Sequence, residues 1–133
     1  MGTYGQRRPT VAYFCMEFGL DESFPVYSGG LGILAGDLLK AAKDLDLPFI
    51  GVGILWDEGY TDQFIDKDHR PYDCAQEYSR EHLIDTGVTV TVKIRNQDVK
   101  CQVWKTETFG NVPLYLLDAS VDPANAWITR QLY

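Results

Sequence analysis

Positive charge, cysteine, histidine and long apolar runs are all scarce in this 133-residue chain, and each shortage removes a class of function. Only 12 lysines and arginines stand against 19 acidic side chains, for a net charge of −7. An acidic surface repels nucleic acid and anionic lipid, so neither is expected as a partner. An acidic chain that binds phosphate needs a local device, and a helix N-terminus is one. The three cysteines, Cys15, Cys74 and Cys101, are odd in number and widely spaced, without a C-x-x-C pair. That spacing excludes the common zinc patterns and argues against a disulfide framework. They read as buried free thiols in a reducing cytoplasm. The histidines, His69 and His82, lack metal-ligand spacing to each other. No apolar run approaches the roughly 20 residues of a membrane span. Residues 1–10 are too polar for a signal peptide, and Gln6 stands where a myristoylation signal wants Ser or Thr. A soluble, cytoplasmic chain is the expectation.

What the chain does have is an organised α/β pattern of one-domain length. Residues 1–10 read as a flexible lead-in closed by Pro9. Val11–Cys15 is a short apolar run, as expected of a strand covered on both faces, and it opens into a polar loop bearing Glu17. Ser28-Gly29-Gly30-Leu31-Gly32 then begins a helix whose leucines and alanines (Leu31, Leu34, Leu38, Ala41, Ala42, Leu45) fall on one stripe, predicted to be buried. Gly36 inside it implies close backbone packing. Asp46 and Pro48 end it, and Phe49–Leu55 is a second buried strand, giving a strand–helix–strand unit with a parallel crossover. From residue 88 apolar and polar residues alternate through turns at Asn96-Gln97-Asp98 and Phe109-Gly110-Asn111, the pattern of a three-stranded antiparallel meander. Asp122 and Pro123 read as the start of a further helix over 123–133. Two buried parallel strands call for more sheet than this, so the chain reads as the opening of a larger domain.

The glycine turn is the main candidate for chemistry. Glycine lets a ligand approach the main chain, and the free first-turn amides together with the helix dipole favour an anion, most often phosphate. The turn lacks the Lys-Ser/Thr of a P-loop and does not follow the first strand directly, so a helix-packing turn is the competing reading. Glu17, at the carboxyl end of the first strand, stands where open α/β sheets bind ligands; it could also be a solvated loop carboxylate. Asp62, Asp66 and Asp68 resemble a calcium loop only loosely, with Pro71 near where Gly is needed. Ser28 has no nucleophile elbow around it. Trp56, Tyr60 and Phe64 could face a sugar ring or simply fill a core.

These residues, in order, resemble the α-glucan phosphorylases of glycogen, starch or maltodextrin, particularly their shorter bacterial and archaeal branch. The matching pieces are Ala12–Leu20, Glu22-Ser23, Tyr27–Gly32, Leu34–Asp37, Leu47-Pro48, Gly51–Gly53, Gly59-Tyr60, Gln63, Val103–Lys105, Val112–Asp118 and Ile128–Tyr133. Cys15 departs from the usual Ser, Asp21 from the common His, and Trp56-Asp57 and Thr61-Asp62 from a stretch that is more often aromatic and basic. The resemblance implies that residues 11–133 begin the N-terminal, Rossmann-like domain of a GT-B glycosyltransferase. Such an enzyme transfers the terminal glucose of an α-1,4-glucan to inorganic phosphate, giving glucose 1-phosphate, with pyridoxal phosphate as cofactor. It also implies that Gly29, Gly30, Leu31 and Gly32 face substrate phosphate and glucose, that Glu17 supports the loop, and that the cofactor lysine lies in a C-terminal domain outside these residues. The chain alone is then expected to be inactive, with the remainder of the phosphorylase as its partner. Two alternatives remain. One is a fragment of a GT-B glycogen or starch synthase, against which Tyr27 stands where a nucleotide-binding Lys is usual. The other is a non-catalytic glucan-binding remnant.

Overall fold

One strand–helix–strand crossover and one meander share a single sheet. The computed structural model describes residues 9–133, so most of the lead-in expected over 1–10 lies outside the described residues. The elements are β1 (Val11–Phe14), α1 (Gly30–Asp44), β2 (Phe49–Ile54), β3 (Thr61–Ile65), β4 (Pro71–Ala75), β5 (Ile84–Ile94), β6 (Gln97–Thr106) and β7 (Leu114–Asp118). The main sheet has the order β1-β2-β7-β6-β5. β1, β2 and β7 are parallel, with Val11 opposite Phe49 and Gly51 opposite Leu114. β7, β6 and β5 form the antiparallel meander. The two halves expected from the sequence are therefore joined edge to edge through β7. The β5–β6 hairpin turns on Arg95 and Asn96, both at positive φ (48° and 66°), the geometry of a two-residue primed turn. That sets the turn one residue earlier than the sequence pattern suggests.

The core lies between α1 and one face of the sheet. Phe18, Phe24, Leu39, Leu55, Leu114 and Leu116 are fully buried there. Gly51 and Gly53 leave β2 flat enough for Leu39 and Phe18 to lie on it. A smaller cluster of Val99, Cys101 and Ala119 forms against Leu117 and Ile128.

Four expectations are corrected. β1 is a sheet edge, with Val11 and Phe14 exposed, and no described element covers it on that side. The buried face of α1 is Gly32, Ala35, Gly36, Leu39 and Ala42, whereas Leu31, Leu34, Leu38, Ala41 and Leu45 are exposed. The cause is a close approach of main chain: the loop after β1 crosses the helix so tightly that only the smallest residues fit beneath it. Residues 123–133 form no α-helix, only a short 3₁₀ turn at Ala126–Thr129 that follows another at Ala119–Val121. Of the three thiols only Cys101 is buried; Cys15 is partly buried and Cys74 exposed.

Tyr78 gives this core a pH signature. Its ring meets Phe24 edge-on at 5.4 Å and its hydroxyl donates to the Trp56 carbonyl. Burial pushes its pKa from 10.0 up to about 12, against a smaller opposing pull from Arg80. The unfolded chain releases this proton first, so the stabilisation is complete below pH 10 and is lost as pH rises from 10 towards 12. Urea unfolding should therefore show a loss of roughly 2 kcal/mol across that window, beyond any loss in Tyr78→Phe. Equal slopes for the two proteins would contradict the assignment.

Candidate functional site

The loop after β1 and the start of α1 hold each other in place. Gly19 N–H donates to the Gly32 carbonyl at 2.7 Å. A methyl at Gly36 would strike the Gly19 carbonyl, and one at Gly32 would strike Tyr27 and Glu17. Phe18, Leu20, Phe24 and Val26 anchor the loop by burying their side chains, and Lys40 Nζ caps the Leu20 carbonyl at 2.6 Å. Trp56 is core, its Nε1 donating to the Met16 carbonyl at 2.8 Å.

Glu17 is only 1% exposed. Its Oε2 accepts the Ser28 N–H at 3.0 Å, and its Oε1 accepts the Tyr133 hydroxyl. The carboxylate thus braces the residue that precedes the glycines, and the solvated-loop reading fails. Asp21, in the same loop, accepts both the Ser23 amide (2.9 Å) and hydroxyl (2.7 Å), bonds that hold its carboxyl below the usual range.

Past Ser28 the chain turns into α1 with Gly29 as an extended N-cap that offers no side-chain cap. The N–H groups of Gly30, Leu31 and Gly32 find no acceptor among the described residues, and the first turn carries no acidic side chain. A methyl at Gly29 or Gly30 would meet nothing within 4 Å. Two glycines therefore sit where no packing demands them, at a helix start with three unspent donors and the positive end of a helix dipole. Beyond β1, β2 and β7 at their carboxyl ends lies an apolar hollow of about 310 Å³, lined by Phe14, Cys15, Met16, Val52, Ile54 and Leu117. The structure brings Glu17, Gly29, Gly30, Leu31 and Gly32 together as the sequence suggested. It adds Tyr133, whose position is set by a contact 116 residues away in the chain.

The remaining candidates disperse. Asp66 Oδ1 accepts the amides of Asp68 (2.8 Å) and Arg70 (2.9 Å) in the β3–β4 hairpin turn. Asp62 is occupied by Gln76 at 2.8 Å. Phe64 stacks on Tyr72 with ring centroids 5.7 Å apart. His82 lies against Phe109 at 4.8 Å.

Over 131 aligned residues the chain is 40% identical to the maltodextrin phosphorylase of Thermococcus litoralis, covering 92% of this chain and 16% of that protein. The chain matches a segment of the α-glucan phosphorylases. This chain is also 41% identical over 146 aligned residues to the glycogen phosphorylase of Mycobacterium tuberculosis, covering 99% of this chain and 17% of that one. It thus spans about a sixth of the length of these two curated relatives. No protein-family profile matches it. Among solved structures, the catalytic domain of starch synthase IV from Arabidopsis thaliana, bound to ADP and acarbose, superposes with a TM-score of 0.62. At 19% identity, over 93% of this chain and 21% of the synthase chain, that likeness shows a fold shared with part of a GT-B glycosyltransferase catalytic domain.

Proposed function

We propose that these residues supply the phosphate- and glucose-facing half of an α-glucan phosphorylase site, as the opening of its N-terminal domain. The parent enzyme would transfer the terminal glucose of an α-1,4-glucan to inorganic phosphate in the cytoplasm, yielding glucose 1-phosphate. The observation that carries this reading is the start of α1, where the Gly30, Leu31 and Gly32 amides have no acceptor among the described residues and added methyls at Gly29 and Gly30 would meet nothing within 4 Å. Fixed donors of this kind stabilise developing negative charge without reorganising during the reaction. Glu17 and the buried loop hold those donors in one orientation, and Gly29 and Gly30 leave room for a phosphate or glucosyl oxygen to approach. The exposed Leu31–Leu34–Leu38–Leu45 face suits a segment of a longer enzyme, since contiguous apolar surface of this kind marks a contact.

Pyridoxal phosphate does not fit the described residues by themselves. A Schiff-base lysine would have to reach the site, yet Lys40 is spent on the Leu20 carbonyl and Lys43 lies in the last turn of α1, at its far end. The cofactor's lysine would belong to the remainder of the parent.

The direct test is a chimera in which residues 11–133 replace the matching segment of the Thermococcus litoralis maltodextrin phosphorylase. A folded chimera should release glucose 1-phosphate from maltodextrin and phosphate, while the 133-residue chain alone should release none. A folded chimera without phosphorolysis, or an active isolated chain, would overturn the reading.

A further inference from the structure

Glu17 is a buried carboxylate to which, among the described residues, no lysine or arginine is paired. It is held by donors alone, and the two oxygens are pinned from opposite parts of the chain: Ser28 N–H on Oε2 and Tyr133 Oη on Oε1. A glutamate carboxyl rotates easily about its last torsion, so one hydrogen bond would leave its direction loose and two fix it.

Tyr133 reaches this position along a zipped segment. Asp57 N–H donates to the Thr129 carbonyl at 2.9 Å and Glu58 N–H to the Arg130 carbonyl at 2.8 Å. Arg130 Nε pairs with Glu58 Oε1 at 2.9 Å, Leu132 is buried, and the Tyr133 ring meets Tyr60 edge-on at 6.1 Å. The bond to Glu17 raises the Tyr133 phenol above its ordinary pKa, and the Ser28 side chain lies against the same hydroxyl.

The consequence concerns the unspent amides. Oε2 lies about 3.2 Å from where a Cβ at Gly32 would stand, so the carboxylate sits beside the first turn of α1. A buried oxygen deprived of its donor seeks another, because leaving it unsatisfied is costly. The unspent amides of that first turn, which substrate phosphate is to use, are donors beside it. We propose that Tyr133 is a positioning residue whose hydroxyl, by holding Glu17 Oε1, keeps the protein's own carboxylate out of the phosphate site while leaving Oε2 to brace Ser28. This rests on the glycine turn being the phosphate half-site.

Tyr133→Phe removes one oxygen and little else. In the active chimera it should raise KM for inorganic phosphate by about tenfold, the loss of one charge-assisted hydrogen bond, and leave KM for maltodextrin nearly unchanged. In the 133-residue chain, amide hydrogen exchange at Ser28 should accelerate by a similar factor with the urea midpoint held. A merely structural tyrosine would shift the midpoint and both KM values together. An unchanged phosphate KM, or unchanged Ser28 exchange, overturns the proposal even where the chimera is active and Gly30→Ala disables it. An inactive chimera, or one indifferent to Gly30→Ala, removes the half-site reading and this inference with it.

Discussion

Gly36→Ala should lower the unfolding midpoint of the 133-residue chain by roughly 10 °C. Helix propensity alone argues the other way, since alanine in a helix interior is favoured over glycine by about 1 kcal/mol. The methyl, however, would land on the Gly19 carbonyl, a backbone group rather than the end of a mobile side chain. Gly19 cannot simply retreat, because its own N–H is bound to the Gly32 carbonyl at 2.7 Å and Phe18 and Leu20 beside it are buried. Overpacking of this kind costs about 1–3 kcal/mol, and losing the backbone bond adds about 1 more. The clash wins, leaving a net loss of roughly 1–3 kcal/mol, which for a chain of this size is on the order of 10 °C. Thermal unfolding followed by circular dichroism reads it, and Gly30→Ala, inside the first turn with nothing within 4 Å of its added methyl, is the control that should stay close to the parent. A Gly36→Ala protein as stable as the parent would mean that the loop does not lie on the helix as described.

That same contact explains where the sequence was legible and where it misled. The β1–α1–β2 crossover and the three-strand meander follow from runs, alternation and turn residues, which are local and strong. The glycine-led start of α1, with its amides unpaired among the described residues, was legible for the same reason: glycine at a helix start is a statement about backbone access. The buried face of α1 was not. Hydropathy selects Leu31, Leu34 and Leu38, but the tertiary contact selects Gly32, Ala35 and Gly36, because another main chain lies on them. Gly36 was the available hint, an interior glycine with no local reason to be there. The segment after Asp122 failed differently. Asp122 accepts the Ala124 amide at 3.1 Å, as a cap should, yet the chain closes into a 3₁₀ turn that brings the Thr129 hydroxyl to the Ala119 amide at 3.2 Å. Its tertiary partners outweighed the cap. Tyr133 carried no local signal, since its role is visible only once Glu17 lies beside it.

Gly30→Ala is expected to do the opposite of Gly36→Ala: to leave stability alone and disable catalysis. The added methyl meets nothing within 4 Å, so the fold loses no contact and unfolding should stay within about 0.5 kcal/mol of the parent. The same methyl, tilted toward the N-terminus of α1, would occupy the open space at the first turn and hold the substrate phosphate or glucosyl oxygen away from its amides. Displacement by about 1 Å from fixed donors costs on the order of 100-fold in turnover. The most direct measurement is therefore kcat for phosphorolysis by the chimera with and without Gly30→Ala, read beside the unfolding midpoints of both proteins. A fall of about 100-fold at matched midpoints is what a phosphate half-site at the start of α1 predicts. Undiminished turnover in a Gly30→Ala chimera of equal stability would contradict it.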